Sequence, residues 1–215
     1  MKRITFVVGH YGSGKTEFAV NLAIQKKIDY LLDLDIVNPF FRSRELESFL
    51  LENNIKMIAS TPLNGNYGDL PFLSKDIFLP FQKSDKCAVF DMGGNDAGAL
   101  ILRQFRDYID EDVDVLMVVN VYREQTQTVD AIIRQINAIE GSSGMKITGL
   151  VNNSHLLKFT VKEDILHGET IVSEVSKKMN LPILYTAVRN DLMDKSFHLS
   201  GETIPLTLYL RKTWL

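Results

Sequence analysis

One segment near the N-terminus restricts the fold more than any other feature of the sequence. The apolar run Ile4–Val8 predicts a buried strand, and the amphipathic pattern of Lys15–Lys26 predicts a helix. The loop between them has the pattern G-x-x-x-x-G-K-[ST] and consists of Gly9, His10, Tyr11, Gly12, Ser13, Gly14, Lys15 and Thr16. Glycines in such a loop let successive backbone N–H groups turn inward around an anion. The segment therefore predicts a strand, a phosphate-binding loop and a helix, in that order.

The side chains of this loop fit a nucleoside triphosphate bound with magnesium. Lys15 is placed to reach the β- and γ-phosphates, and the Thr16 hydroxyl is placed to ligate Mg²⁺. The helix that begins here adds the positive end of its dipole. A chance glycine-rich turn is the alternative, but it explains neither the strand before the loop nor the helix after it. We therefore expect residues 9–16 to bind the phosphates.

The rest of the chain alternates short apolar runs with longer amphipathic segments. Apolar strands separated by helices are typical of a mainly parallel sheet covered on both faces. The pattern predicts a doubly wound α/β fold that occupies residues 1–215 as a single domain. Strands are expected at 4–8, 30–34, 56–59, 87–90, 113–121, 147–151 and 183–187, and helices at 15–26, 43–52, 97–109, 125–139 and 162–179, with a short helix near 74–81.

Acidic residues end two of the predicted strands, where ligands bind in sheets of this kind. Asp33 and Asp35 end the second strand, and a carboxylate there could reach the magnesium shell or position the attacking water. We expect Asp35 to position the attacking water and to lie near the magnesium, and we expect Asp33 to have a structural role. A helix cap or a loop charge is the alternative for this pair. The fourth strand ends in Asp91, a second magnesium candidate, and Gly93 and Gly94 would let the chain pass close to the γ-phosphate.

Together these motifs resemble the MinD/ParA branch of P-loop ATPases, which includes the CobQ/CobB nucleotide-binding domains. The loop of that family has the pattern G-K-G-G-x-G-K-[ST], which this chain matches at Gly9, Gly12, Gly14, Lys15 and Thr16. The resemblance implies a P-loop fold and hydrolysis of ATP. It also implies that Asp35 corresponds to the family's catalytic aspartate and Asp91 to its magnesium-binding aspartate.

Two residues of the loop depart from that family. His10 occupies the position of an extra lysine that crosses a dimer interface to the partner's nucleotide, and Tyr11 replaces a glycine. A histidine carries only partial charge near neutral pH. The resemblance implies a nucleotide-dependent homodimer, and we expect that dimer to be weaker here than in lysine-bearing relatives. The alternative is that His10 only shapes the loop.

The base of the nucleotide is expected beside the sixth strand. Asn152, Asn153, Ser154 and His155 stand at the end of that strand, and the N/T-K-x-D pattern of many GTPases is missing there. An asparagine amide offers a donor and an acceptor, which suit an adenine edge. Asn152 matches the base-contacting asparagine of MinD-like proteins, whereas Asn153 is almost equally well explained by a turn. Asp191, after the last predicted strand, could close the base pocket.

Composition restricts the partners. The formal net charge is -3, which argues against a nucleic-acid partner because such partners favour concentrated positive charge. No apolar stretch approaches the length of a membrane span and no signal-peptide pattern is present, so a cytoplasmic location is expected. The segment 204–215 could dock on a membrane, but Pro205 and its alternating leucines favour a packed segment.

The sequence thus predicts an ATPase that uses magnesium and acts as a switch on a protein partner. One alternative is an ATP-dependent small-molecule kinase or ligase of the CobQ/CobB or dethiobiotin-synthetase kind. Another is a nucleotide-binding module with negligible turnover. The segment 64–71 has the composition of a mobile loop, which could be a switch or a plain surface loop.

Overall fold

The structure is a computed structural model that describes residues 1–35, 47–59, 75–94, 96–193 and 198–210. The strands among these residues are β1 (Ile4–Val8), β2 (Tyr30–Leu34), β3 (Lys56–Ala59), β4 (Ala88–Met92), β5 (Val113–Val119), β6 (Gly149–Asn152), β7 (Ile183–Arg189) and β8 (Glu202–Leu206). The helices are α1 (Lys15–Lys26), α2 (Glu47–Glu52), α3 (Leu79–Gln82), α4 (Asp96–Arg103), α5 (Val129–Ser143) and α6 (Lys162–Met179).

The eight strands form a parallel sheet in the order β3-β2-β4-β1-β5-β6-β7-β8. β1 lies between β4 and β5, so the strand that leads into the phosphate loop is in the middle of the sheet. The chain winds outward in opposite directions on the two sides of β1, which opens a crevice at the carboxyl ends of these strands. β2 and β4 are adjacent, with Asp33 paired beside Asp91. The topology therefore gathers the loop and the predicted acidic residues at one edge of the sheet.

Both faces of the sheet are covered, as the apolar strands predict. On one face Phe6, Phe90 and Phe105 are fully buried, and the centroids of their rings lie 4.6 to 5.2 Å apart. On the other face α1 buries Phe18 and Leu22 against the strands. Burying a large apolar side chain contributes roughly 1.5–3 kcal/mol, so these two layers hold the sheet and fix its edge. The predicted doubly wound α/β class is confirmed.

Most predicted elements are present, and the differences have local causes. β1, β2, β3, α1 and α6 have the predicted bounds, and the ends of β4 to β7 shift by at most two residues. The predicted helix 125–139 begins later, at Val129, because the Thr128 hydroxyl accepts a hydrogen bond from the Ala131 N–H and caps the helix. The predicted helix 97–109 ends at Arg103. The start of the predicted helix 43–52 and the segment 64–71 lie outside the described residues.

The sequence analysis did not predict β8, which pairs with β7 at the edge of the sheet. An edge strand tolerates Pro205 because its outer side needs no ladder hydrogen bond. Ile204 is fully buried, and the Asn21 side chain makes hydrogen bonds of 2.9 Å to both the N–H and the carbonyl of Thr207. The favoured interpretation of a packed C-terminal segment therefore holds as far as Leu210, which is also buried. Within the described residues, no helix has the length and apolar character needed to span a membrane.

Candidate nucleotide-binding site

The phosphate loop connects β1 to α1 at the middle of the sheet, and its backbone requires glycine at two places. Gly14, directly before α1, has a φ of 81°, and a Cβ there would lie 2.5 Å from the Nδ2 of Asn153. Gly9 has a φ of 151°, and a Cβ there would lie 2.6 Å from the carbonyl oxygen of Val118. Only a residue without a side chain combines these angles with such close neighbours. The glycines of the motif are therefore explained by the geometry of the loop.

The two polar residues that begin α1 lie beside the segment that follows β4. Lys15 and Thr16 are both buried, with 5% of each residue exposed. A Cβ on Gly94 would lie 2.8 Å from the Lys15 Nζ and 2.8 Å from the backbone nitrogen of Tyr11. In a phosphate loop the lysine reaches the β- and γ-phosphates. The segment after β4 thus lies against the part of the loop where a γ-phosphate would bind.

Three buried carboxylates stand at the carboxyl ends of β2 and β4. Asp33, Asp35 and Asp91 are 1%, 3% and 2% exposed, and Asp33 pairs beside Asp91 across the two strands. The Asp33 Oδ1 accepts a hydrogen bond of 3.2 Å from the Asp35 N–H. Asp33 therefore orients the backbone that carries Asp35, in agreement with the structural role expected for it. The structure brings all three residues to the edge where the phosphate loop lies.

Asp91 is a buried carboxylate with a strongly raised pKa. Burial is the largest cause, and with the charges of Asp33 and Asp35 it raises the pKa to about 7, although Lys15 and the Thr16 hydroxyl act to lower it. Among the described residues, neither oxygen of the Asp91 carboxylate has a well-formed hydrogen bond. An ionised, buried carboxylate without a well-formed hydrogen bond costs free energy, and a cation is the partner that would compensate it best.

The residues at this edge fit a magnesium ion that is bound together with a nucleotide. In the part of the chain that the structure describes, no group of three or more His, Cys, Asp and Glu side chains is arranged to hold a metal ion. Magnesium in nucleotide sites, however, takes one or two ligands from the protein and the rest from phosphates and water. Thr16, Asp35 and Asp91 are the side chains that would hold it here, with Asp91 supplying the otherwise unpaired oxygens.

A pocket beside Gly14 is the candidate site for the base. Its lining includes Asn153, Leu157, Ala187, Arg189, Leu206 and Leu208. The Asn153 Nδ2 donates a hydrogen bond of 2.8 Å to the carbonyl of Ser13, which ties this pocket to the phosphate loop. Apolar walls with a few polar groups suit the faces and edges of a flat heterocycle. The pocket lies next to the loop and at the start of α1, which is where the base would lie in a nucleotide bound by its phosphates.

The structure places Asn152 and Asp191, both expected near the base, outside the lining of this pocket. The Asn152 Nδ2 donates to the Ile165 carbonyl at 3.3 Å, and its Oδ1 accepts from the Ser154 N–H at 3.2 Å. Successive side chains of a strand point to opposite faces, so Asn152 turns toward α6 and Asn153 turns toward the loop. Arg189 donates to the Asp191 carboxylate, with 2.8 Å between Nη2 and Oδ2. Asn153 is the asparagine that the fold brings to the nucleotide site.

The sequence analysis also missed Arg123, which follows β5. Its Nε donates a hydrogen bond of 2.8 Å to the carbonyl of Gly12 in the phosphate loop. A 3₁₀ turn holds it there, because the Thr126 N–H donates to the Arg123 carbonyl and the Thr126 hydroxyl donates to the Asn120 carbonyl. The carboxyl end of β5 is a junction of the same kind as those that contain Asp35 and Asp91. Inspection of that junction for charged residues would have found this arginine.

His10 is turned toward its own loop. Its Nδ1 lies 2.9 Å from the carbonyl oxygen of Tyr11, and a protonated Nδ1 would donate a hydrogen bond there. The Tyr11 side chain is 61% exposed at the surface of the loop. This contact agrees with the alternative in which His10 shapes the loop, and it leaves the Nε2 of the ring for a second contact.

Solved structures with a similar fold include FtsY proteins. The cell division protein FtsY from Thermotoga maritima matches with a TM-score of 0.57 and 17% identity, over 87% of this chain and 62% of that chain. Chloroplast FtsY from Physcomitrella patens matches with a TM-score of 0.57 and 17% identity, over 86% and 58% of the two chains. The signal recognition particle receptor FtsY from Elizabethkingia anophelis in complex with GDP matches with a TM-score of 0.52 and 18% identity, over 87% and 58%.

These likenesses define the fold. The chain has the α/β fold of P-loop nucleoside triphosphatases, and it spans about three fifths of the length of the FtsY chains it matches. The likeness supports the P-loop class and does not single out the MinD/ParA branch within it. Comparison of the sequence with protein families and with curated proteins gives no match.

The pKa of Asp91 predicts how the nucleotide-free protein responds to pH. The pKa of Asp91 is about 7 in the folded protein against 3.8 for an ordinary aspartate, so between these values the folded protein holds a proton that the unfolded chain releases. Stability from this group is therefore present below pH 4 and is lost as the pH rises through 7. We expect Asp91→Asn to raise the free energy of unfolding relative to wild type, and to do so by roughly 2 kcal/mol more at pH 8 than at pH 5.

Urea unfolding at the two pH values, without nucleotide or magnesium, measures this difference. Asp191→Asn is the matched control, because the hydrogen bond from Arg189 lowers the pKa of Asp191 and keeps that group ionised at both values. Its effect on stability should be the same at pH 5 and pH 8. An Asp91→Asn effect that is equally independent of pH would show that Asp91 is ionised throughout.

Proposed function

We propose that this protein binds ATP with magnesium and hydrolyses it, and that its nucleotide state acts on a protein partner. The observation that carries the proposal is the convergence at Lys15. The loop after β1 presents the Lys15 ammonium, Asp91 lies close enough for its pKa to be affected by that charge, and Gly94 lies in van der Waals reach of it. A lysine, a magnesium-binding carboxylate and a close backbone segment are the groups that a γ-phosphate needs.

Binding of the phosphates rests on the backbone of residues 9–16. The carbonyls of Gly12 and Ser13 already accept hydrogen bonds from Arg123 and Asn153. The Ser13 carbonyl faces Asn153, so the Gly14 N–H of the same trans peptide faces the opposite side, where it could meet a phosphate. The Ser13 N–H instead donates to the His10 carbonyl at 3.1 Å and shapes the turn. Lys15 and the N-terminus of α1 add positive charge at the same place. The Thr16 hydroxyl would ligate the magnesium.

The base pocket supports adenine over guanine. Guanine presents two neighbouring N–H donors, which a carboxylate binds well. Glu17 is the acidic residue in the described lining, and it already accepts hydrogen bonds from the N–H groups of Tyr209 and Leu210. Asp191 is paired with Arg189. The Asn153 oxygen, with its Nδ2 held by the loop, would accept from the amino group of either base, so the preference for adenine rests on the carboxylates near the pocket being already paired.

Asp35 is the residue we assign to hydrolysis. In this reaction a water attacks the γ-phosphorus while the bond to the bridging β–γ oxygen breaks. Lys15 stabilises charge on the departing phosphate, and magnesium, when bound, neutralises charge on the phosphate oxygens. Asp35 is buried, and Asp33 orients its backbone, so its carboxylate can be held in one place beside the nucleotide. Its role is to orient the water and accept the proton.

The segment Gly93 and Gly94 is the element that would pass the nucleotide state to a partner. On one side Gly94 lies against Lys15 and Tyr11. On the other side α4 packs so closely that a Cβ on Gly98 would lie 2.0 Å from the Gly93 carbonyl oxygen. Loss of the γ-phosphate would remove a contact of Gly94, and the tight packing would transmit the change to α4. A partner that binds α4 would then distinguish the two nucleotide states.

The phosphate site is tested by the variant Lys15→Ala. Hydrogen bonds to charged groups contribute about 1.5–3 kcal/mol each, so ATP affinity should fall by roughly a hundredfold or more. Isothermal titration calorimetry with ATP and magnesium measures this, and Lys83→Ala, at an exposed position, should leave the affinity unchanged. Wild-type affinity in Lys15→Ala would refute the phosphate site. Tighter binding of GTP than of ATP to the wild-type protein would refute only the adenine assignment.

The catalytic role is tested by Asp35→Asn. Loss of a positioned base costs about 10²- to 10⁴-fold in rate, and we expect a decrease of this size in phosphate release with ATP affinity retained. Asp107→Asn, at an exposed aspartate, is the control. The wild-type rate should also rise with at least one fraction of a cell lysate, and the variant should not respond. If Asp35→Asn hydrolyses ATP at the normal rate, another residue positions the attacking water. If no lysate fraction changes the wild-type rate, the proposal of a nucleotide-dependent switch on a protein partner is contradicted.

A homodimer that forms with ATP is also part of the proposal, with His10 facing the partner's phosphates. A histidine brings less positive charge than a lysine at neutral pH, so His10→Lys should strengthen the dimer and His10→Ala should weaken it. Sedimentation in the Asp35→Asn background, with ATP and magnesium, measures the dimer without turnover. If all three proteins stay monomeric at high concentration, the proposed dimer is wrong. The contact with the Tyr11 carbonyl is then the one role left for His10.

A further inference from the structure

A cavity of about 330 Å³ lies between α4 and α5, at the same end of the sheet as the phosphate loop. We call it the α4–α5 cavity. Its floor contains the backbone of residues 9–11 and of Gly93 and Gly94, and its walls come from α4, from α5 and from the turn before α5. The volume is within the range of small-molecule sites and equals that of about ten water molecules.

The cavity exists because small residues line the facing sides of the two helices. Gly98 and Ala99 face it from α4, and Ala138 and Ser142 face it from α5. Gly98 packs against the Gly93 carbonyl without room for a Cβ, which fixes the first turn of α4 against the segment that follows β4. Leu102 and Ile139 supply an apolar side. The space is therefore a consequence of the packing of the helices.

One end of the cavity adjoins the position of the γ-phosphate. Tyr11 and Gly94 line the cavity, and a Cβ on Gly94 would touch both the Tyr11 nitrogen and the Lys15 Nζ. A molecule in the cavity would therefore lie next to the group that Lys15 binds. This placement rests on the proposed nucleotide site, whereas the presence of the cavity does not.

The polar side chains of the lining include Gln125, Gln135, Ser142 and His10. The first three make no hydrogen bond to the described residues, and of these Gln125 and Ser142 are exposed to solvent. The His10 Nδ1 lies 2.9 Å from the Tyr11 carbonyl oxygen. The described lining contains no Asp, Glu, Lys or Arg. An anionic ligand would be repelled by the neighbouring triphosphate, and a cationic ligand would find no carboxylate in the lining to compensate its desolvation.

We propose that the α4–α5 cavity binds a second, small and uncharged ligand that carries hydroxyl, carbonyl or amide groups. The two glutamine amides and the serine hydroxyl would pair with its polar groups, and Leu102 and Ile139 would contact its apolar part. A ligand in this place contacts Gly93 and Gly94, so its occupancy changes the response to the γ-phosphate. A hydroxyl at the Gly94 end could attack the γ-phosphorus: its oxygen would form the new bond, the bond to the β–γ bridging oxygen would break with ADP as the leaving group, and the hydroxyl proton would pass to the Asp35 carboxylate.

The test fills the cavity from one helix. Ala138→Leu adds a large apolar side chain inside the lining, and Asn137→Leu adds the same side chain at the neighbouring exposed position of α5, outside the lining. The probes are four uncharged compounds, namely myo-inositol, nicotinamide, panthenol and uridine, together with nicotinate and pantothenate as charged counterparts. Saturation-transfer NMR without nucleotide measures binding, and thermal unfolding verifies that both variants are folded.

We expect at least one uncharged probe to bind wild type and Asn137→Leu equally, and to bind Ala138→Leu at least about tenfold more weakly. The charged counterpart should bind more weakly than the uncharged compound. Equal binding to Ala138→Leu, or no binding of any uncharged probe to the wild-type protein, would overturn the proposal. Because nucleotide is absent, failure of the ATPase proposal would leave this result unaffected. Adding ATP to the bound state then distinguishes an effector, which changes phosphate release, from an acceptor, which appears as a phosphorylated product.

Discussion

The interaction on which the site depends is the one between Lys15 and the buried carboxylate of Asp91 at the end of β4. Asp33 and Asp91 are paired in adjacent strands and are both buried, so their like charges oppose each other in a medium of low dielectric constant. Burial is the larger effect on Asp91, whose pKa is raised to about 7 although Lys15 lowers it. Lys15 thus offsets the cost of ionising Asp91 only in part. An ionised Asp91 favours a cation and the phosphate loop beside it favours an anion, so a magnesium–nucleotide complex would satisfy both.

The positions of Lys15 and Thr16 depend on α1, and hydrogen bonds with the C-terminal segment hold this helix in place. The Glu17 carboxylate, one residue beyond Thr16, accepts a hydrogen bond of 2.6 Å from the Tyr209 N–H. Asn21, one turn later, binds both backbone groups of Thr207. The same segment contributes Leu208 to the base pocket. The first helix and the segment that follows β8 therefore fix the loop and the base pocket together, although they are far apart in the sequence.

The parts of the site that were predictable from the sequence are those determined by local chain geometry. The phosphate loop is contiguous, and its glycines follow from backbone angles that other residues adopt poorly. Asp35 and Asp91 follow from the rule that chemistry lies at the carboxyl ends of parallel strands. Which of Asn152 and Asn153 reaches the base pocket depends on the face of the sheet to which each side chain points, and a shift of one residue exchanges the two faces. Arg123 depends on a 3₁₀ turn, and β8 contains a proline that is typical of a loop, so neither was visible in the local pattern.

The residues that the sequence analysis missed explain how the loop keeps its shape. A phosphate loop works when its N–H groups point inward, and this orientation requires that carbonyls of the same peptides point outward and find donors there. Arg123, from the junction after β5, donates to the Gly12 carbonyl, and Asn153, from the junction after β6, donates to the Ser13 carbonyl. Neighbouring strands of the sheet thus supply one donor each to consecutive peptides of the loop. The motif supplies flexible glycines, and these two side chains, which lie outside the motif, hold the backbone at Gly12 and Ser13 in its observed conformation.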